Sequence, residues 1–424
     1  WALVPSAELG EAFKAGGELV ERYREKAQAF QEEMNTLRFG LKPSAVYFNP
    51  TERCNLNCSY CYIPEEMRRE GEHMSTGKLL ESLEIFKDYF RKNMPEGRKP
   101  EIVFHGAEPM MNRDAVFEGI KQFSDDFTFG IQTNATLLDD ETIKFLTERE
   151  VGIGLSLDGP VDEIAAKTRT SWSGDSAYEA VVEAIDKLRG YERYSVICTI
   201  TQENMGALTD VVDFFHERHV PTCMLNIVRC TLPAAREVKP DDQAVAEYYL
   251  KALERTYELY EETGRKLIVA NFANILISIM APTARRLMCD ISPCGGGRSF
   301  FAVAPDGGMF PCSEFIGLQD FKGGNLFRDD INSVLESPPF AKVTSRKVEN
   351  ISPCNKCAIR HYCGSPCPAE AHEMNGGMEK TGAFCEFYEE QVRYAMRLIA
   401  DNKHTAFLWD GWDNDTEQTF GIYL

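Results

Sequence analysis

Apolar and polar positions along the chain fall into two alternating periods. Short runs rich in Val, Ile, Phe, Tyr and Thr predict strands at 45–49, 101–105, 127–133, 151–157, 194–201 and 222–228. Between them apolar residues recur every three or four positions, which predicts amphipathic helices near 76–92, 111–125, 139–149, 176–190 and 204–219, and another at 241–263. Six βα units in series predict an α/β fold, a parallel sheet curled into a partial barrel. In such a barrel the chemistry sits at the C-terminal ends of the strands. A further apolar run, 267–280, contains Asn271 and Asn274 and is shorter than the ~18–20 residues that span a bilayer; it reads as a buried helix.

From about residue 284 the pattern changes. Gly295-Gly296-Gly297, Pro305-Asp306-Gly307-Gly308 and Gly323-Gly324 crowd together, and cysteines become dense. That composition marks a small, loop-rich module held by metal more than by core burial. The expected organisation is an N-terminal helical extension over 1–43, the barrel with bridging helices over 44–283, the cysteine-rich module over 284–390, and a C-terminal helix with an acidic, aromatic tail over 391–424. Docking on the body, partner binding and disorder all stay open for that tail. The length of 424 residues suits two or three domains.

Charge narrows the function. With 46 Lys+Arg against 66 Asp+Glu, the formal charge is −20, which repels phosphate backbones and anionic membranes. Neither nucleic acid nor membrane is an expected partner. The first thirty residues have no signal-peptide core, and the expected location is the cytoplasm.

In a reducing compartment, clustered cysteines more often bind metal than form disulfides. Of the 14 here, Cys54, Cys58 and Cys61 form one group and eight fall between Cys289 and Cys385. Cys198, Cys223 and Cys230 lie in predicted barrel core and read as small buried hydrophobes. The first group, Cys54-x3-Cys58-x2-Cys61, directly follows the first predicted strand. Three thiolates in one loop hold three irons of a cubane cluster and leave the fourth iron without a protein ligand. The alternative is a zinc site with His73 as fourth ligand.

This motif resembles that of the radical S-adenosylmethionine (SAM) superfamily, whose TIM-like partial (βα)6 barrel the predicted elements would form. The resemblance implies that the open iron chelates SAM and that Tyr60 lies against its adenine. Gly106-Ala107-Glu108-Pro109 resembles the family's Gly-Gly-Glu-Pro, and Glu108 would then accept a hydrogen bond from the SAM ammonium. Ala107 replaces a glycine and is compatible only if its φ is negative. Gln132-Thr133-Asn134 and Ser156-Leu157-Asp158 resemble the polar strand ends near the ribose and methionyl groups, and Arg169 an arginine that pairs with the SAM carboxylate.

The second group, Cys354-x2-Cys357-x5-Cys363-x3-Cys367 followed by Cys385, together with Cys294 and Gly307-x4-Cys312 upstream, resembles the SPASM domain, the auxiliary-cluster domain of radical SAM enzymes that mature peptides and proteins. Cys289 supplies an eighth thiol. The resemblance implies one auxiliary [4Fe-4S] cluster on Cys289, Cys294, Cys312 and Cys367 and another on Cys354, Cys357, Cys363 and Cys385, three clusters in all; an iron left open is the outcome if Cys289 does not ligate. Two zinc ribbons are the competing use of the same thiols.

The implied reaction is reductive cleavage of SAM to a 5′-deoxyadenosyl radical, with oxidative modification of a side chain of a ribosomally made peptide (a crosslink, thioether or dehydrogenation). A flavodoxin- or ferredoxin-type protein would supply the low-potential electron. Anaerobic sulfatase maturation, oxidation of a small molecule and a non-catalytic metal-binding module are the alternatives. Sulfatase maturases carry an Asp, thought to be a general base, directly after the cysteine of the Gly-x4-Cys element; here Ser313 stands there, with Glu314 next. Asp158, Glu314 and Tyr62 are the candidate acid–base residues. The roughly 40 residues before the first strand are too few and too helical for a winged-helix leader-binding module.

Overall fold

The computed structural model describes residue 21 and residues 24–412. Residues 24–35 are helical, as expected; the rest of the predicted helix over 8–36 that precedes residue 24 lies largely outside the described residues, as does the tail beyond 412.

All six predicted strands form within a residue of the expected bounds: β1 (Ala45–Phe48), β2 (Glu101–Phe104), β3 (Thr128–Thr133), β4 (Gly152–Ser156), β5 (Tyr194–Ile200) and β6 (Thr222–Ile227). Consecutive strands pair in parallel, with Phe48 beside Phe104, Thr133 beside Leu155 and Ser156 beside Ile197. This register brings the strand ends level, so the polar residues that close β2, β3 and β4 share one mouth. The helices between them cover the outer face. In α1 (Thr76–Asn93) the Ser75 hydroxyl accepts the Lys78 N–H as N-cap, and Leu79, Leu83, Phe86 and Phe90 are buried against the sheet. The architecture is a mixed α/β fold with a partial parallel barrel.

The run 267–280 differs from expectation. It opens as a short strand, β7 (Ile268–Val269), on the edge of β6, and only then becomes the helix α2 (Ala270–Met280). Its two asparagines are buried partners rather than breaks. Asn271 bridges the Leu225 backbone of β6 and the Tyr249 hydroxyl, and the Asn274 carbonyl accepts the N–H groups of Arg286 and Leu287. Among the described residues no helix is long and apolar enough to cross a membrane.

The cysteine-rich region does not stand apart as a separate layer. Its first strand, β8 (Phe300–Val303), pairs in parallel with β1, and β9 (Gly308–Phe310) and β10 (Gly324–Asn325) extend it antiparallel. One sheet of ten strands, in the order β10-β9-β8-β1-β2-β3-β4-β5-β6-β7, therefore runs from one region into the other. The β8–β9 turn needs Gly307: its φ is +80°, and a Cβ there would lie 2.6 Å from the Phe327 ring. The C-terminal helix α3 (Cys385–Ala400) packs on α2, and Phe407 and Leu408 beyond it are buried. Cys198, Cys223 and Cys230 are buried in the hydrophobic core.

Candidate active site

The loop carrying Cys54, Cys58 and Cys61 leaves the end of β1 and is fixed from outside. The Arg68 guanidinium donates to the carbonyls of Ile63 and Leu56 and to the Asn57 side chain, while the Trp172 indole N–H donates to the Cys54 carbonyl at 2.8 Å. Both Arg68 and Arg69 stack on the Trp172 ring. From the end of β3, the Asn134 amide reaches the Cys54 Sγ at 3.8 Å and the Asn55 side chain at 2.9 Å. The thiols thus sit in a preformed cradle. Among the described residues no three His, Cys, Asp or Glu side chains converge as a single metal ion requires. His73, the proposed fourth zinc ligand, is exposed.

Tyr60 is held by a buried trio. Its hydroxyl donates to Asp158 Oδ2 and accepts from Arg169 Nη1, both at 2.6 Å. Asp158 also accepts from the Thr168 hydroxyl and the Thr199 N–H, so three protein donors occupy its carboxylate. Burial raises its pKa against the pull of Arg169 and these hydrogen bonds. We therefore assign Asp158 to positioning Tyr60 and Arg169. Asp158→Asn is expected to cost about 1–3 kcal/mol of stability, because an amide cannot accept from all three donors. SAM affinity should fall with it, which thermal unfolding and equilibrium dialysis would measure.

Glu108 plays a similar part between β2 and β3. It is buried, and it accepts the N–H groups of Met110 and Asn134 and the Thr133 hydroxyl at 2.8–3.0 Å. Gly106 has φ +107°, and a Cβ there would lie 2.4 Å from the Asn49 side chain, whereas Ala107 is not among the residues with positive φ. The motif retains glycine where glycine is required.

In the cysteine-rich region the thiols sort into two neighbourhoods. Cys289 feels the charge of Cys294, and Cys312 that of Cys289 and Cys367. Cys363 feels Cys354, Cys357 and Cys385.

One cavity of roughly 390 Å³ joins the two halves of the site. Cys54, Cys58, Cys61, Tyr60 and Arg169 line one side, with Gly106, Ala107, Gln132, Asn134 and Ser156 from the strand ends. Cys289, Cys294, Cys312 and Cys367 line the other, with Tyr62 and Glu314 between. Glu108 and Asp158 lie behind the wall, and Cys354, Cys357, Cys363 and Cys385 lie away from it. Three buried polar atoms on cavity residues have no protein partner: Arg169 Nε, Ser313 Oγ and Glu314 Oε2. An unpaired guanidinium nitrogen beside three thiols fits an amino-acid carboxylate bound next to a metal cluster, so the residues present fit SAM.

Several cavity residues went unread in the sequence. Tyr47 points inward from β1 and meets the His105 ring edge-on at 5.2 Å, and His105 Nδ1 lies 3.3 Å from the Tyr62 hydroxyl. Burial pushes His105 down to about 4, opposed by a hydrogen bond with Gln132, so its imidazole is neutral at pH 7. Arg229 follows β6 and also lines the cavity. Its position just past a predicted strand end is the signal that could have found it. Burial pushes Glu314 up to about 7, with Arg229 opposing and Glu370 adding to the rise.

The family model for the radical SAM superfamily matches residues 48–215, and that for the SPASM iron-sulfur cluster-binding domain matches residues 294–358. The chain belongs to the radical SAM superfamily and carries a SPASM domain. A relative from Archaeoglobus fulgidus, an uncharacterized protein, is 42% identical over 90% of this chain and 88% of its own length. A cysteine-type anaerobic sulfatase-maturating enzyme from Clostridium perfringens is 24% identical over 85% of this chain and 98% of its own. The structure of native anSMEcpe with bound AdoMet and Cp18Cys peptide superposes with a TM-score of 0.73 at 19% identity, covering 84% of this chain and 99% of that one.

Proposed function

We propose that this enzyme uses SAM to oxidise a side chain of a ribosomally made peptide or protein. The observation that carries the reading is the single cavity bounded by the Cys54, Cys58, Cys61 triad on one side and by Cys289, Cys294, Cys312 and Cys367 on the other. SAM bound with its cluster supplies abstraction of a hydrogen atom from unactivated carbon. The residues of this chain orient and enclose. Arg169 and the strand ends hold the cofactor, Asp158 fixes Tyr60 against it, and the aromatic walls formed by Tyr47, Tyr62 and His105 exclude water from the reacting carbon. A peptide substrate agrees with the relative crystallised with a peptide.

Net removal of two hydrogens leaves one electron and one proton to be taken up after the first hydrogen atom is gone. An auxiliary cluster on the far wall suits the electron and Glu314 the proton, while Tyr62, whose hydroxyl keeps its own proton, can serve only as a relay. The external electron donor in this reading is a flavodoxin or ferredoxin. The sulfatase-maturase reading is kept by one specific observation: although Ser313 replaces the Asp of that group, Glu314 places a carboxylate on the cavity wall.

The test is anaerobic reconstitution followed by incubation with SAM, reductant and candidate peptides encoded nearby. Three clusters predict about ten to twelve irons per chain. A peptide lighter by two hydrogens supports the reading. Zinc without acid-labile sulfide, or no oxidation of any candidate, a sulfatase peptide included, overturns it, and oxidation of the sulfatase peptide alone selects the sulfatase-maturase reading.

A further inference from the structure

In a chain of net charge −20, the surroundings of Cys289, Cys294, Cys312 and Cys367 hold buried arginines alongside the acids Asp290, Glu314 and Glu370. Three arginines lie there, and among the described residues none of them has a carboxylate within 4.0 Å. Arg298, 6% exposed, donates only to the carbonyls of Cys294, Leu37 and Pro293. Arg346, 8% exposed, donates to the carbonyls of Met378, Ser365 and Lys380 and to the Ser365 hydroxyl. Arg229, on the cavity wall, has the Tyr388 hydroxyl at 3.3 Å. Arg285 and Arg169 by contrast carry an acid, Asp290 at 3.0 Å and Asp158 at 4.0 Å, whereas the buried Arg68 behind the Cys54, Cys58, Cys61 loop also donates only to neutral acceptors.

Neutral carbonyls satisfy the donors of a guanidinium but leave its charge uncompensated, and a buried charge without a counter-ion costs several kcal/mol. The missing anion is at hand. Arg298 donates to the carbonyls of Cys294 and its neighbour Pro293, Arg346 to the carbonyl and hydroxyl of Ser365, two residues before Cys367, and Arg229 lines the same cavity as all four thiols. Glu314 is the negative neighbour of Cys312.

We propose that Arg229, Arg298 and Arg346 are the counter-charge of the auxiliary cluster held by Cys289, Cys294, Cys312 and Cys367, and that they raise its reduction potential. The inference rests on those four cysteines being cluster ligands. Net charge near a cluster sets its potential, and three cations stabilise the reduced, more negative state. Arg346 also donates to the carbonyl and hydroxyl of Ser365, which lies in the chain between Cys363 of the one auxiliary set and Cys367 of the other.

Arg229 is the residue to test, because Arg298 and Arg346 also clamp backbone. In reconstituted holoenzyme, a redox titration followed by electron paramagnetic resonance should show the auxiliary midpoint of Arg229→Gln moved negative. At fixed poise the reduced-to-oxidised ratio should fall about tenfold, or about 59 mV for one electron. Arg229→Lys should restore it, and Glu314→Gln should move the midpoint in the opposite direction. Iron content separates tuning from loss of the cluster. If Arg229→Gln fails to load iron, the positive shift in Glu314→Gln decides alone. Unchanged midpoints, or shifts of the same sign in Arg229→Gln and Glu314→Gln, overturn the proposal. Wild-type formation of 5′-deoxyadenosine tests the functional reading separately.

Discussion

Cys58→Ala should abolish formation of 5′-deoxyadenosine from SAM. An iron–sulfur cubane normally takes four protein thiolates, and this loop offers three. Removing one leaves two thiolates to hold four irons, so loss of the cluster is expected rather than a change in its properties. A fall of at least a thousandfold, more than about 4 kcal/mol of barrier, follows. The loop itself should survive, because its supports do not pass through the Cys58 side chain. The Cys61 N–H bonds to the Cys58 carbonyl, the Asn57 and Ser59 N–H groups bond to the carbonyls of Thr170 and Thr168, and Arg68 holds the turn from behind. The measurement is iron content with chromatography of the nucleoside product after anaerobic reconstitution, with about four irons lost. Cys198→Ala is the matched control. That thiol is buried in the barrel core and belongs to none of the three sets, so iron and activity should stay at the wild-type level. If Cys58→Ala still cleaves SAM at the wild-type rate, the triad does not hold the catalytic cluster.

The parallel core was legible because each strand is a short apolar run closed by a polar residue, and tertiary packing moved its limits by at most a residue. The family resemblance, laid on those strand ends, pointed to Gln132, Asn134 and Ser156, which line the cavity. It placed Asp158 and Glu108 at the correct strand ends without showing that both turn away from the cavity. That depends on Thr199 and Thr133, which lie 41 and 25 residues away in sequence. The continuation of the sheet through β8 was not legible. The pairing of Ala45 with Phe300 joins residues with most of the barrel between them, and a four-residue strand has no periodicity that names its partner. Arg229 and His105 were missed for a simpler reason: a single polar residue at a strand end is ambiguous until its neighbours across the mouth are known.

Cys357→Ala is expected to spare SAM cleavage and block product. The set to which Cys357 belongs lies away from the cavity, so the catalytic triad, Arg169 and the Tyr60–Asp158 pair keep their surroundings. The local fold also has support independent of metal. The Asp242 carboxylate accepts the N–H groups of Cys385, Glu386 and Phe387 at 2.7–3.0 Å, anchoring the start of α3 to the barrel. What disappears is a place for an electron to go. Cys354, Cys357 and Cys363 are half-buried and Cys385 is exposed, whereas the set on Cys289, Cys294, Cys312 and Cys367 faces the cavity. In the proposed reading the outer set would pass charge between the cavity-facing set and a partner in solvent. In the variant, 5′-deoxyadenosine should accumulate without modified peptide and the iron count should fall by about four. Mass spectrometry of the peptide and nucleoside from one reaction distinguishes the two products. Modified peptide at the wild-type rate would mean that the outer set is structural and that the inner set alone disposes of the electron.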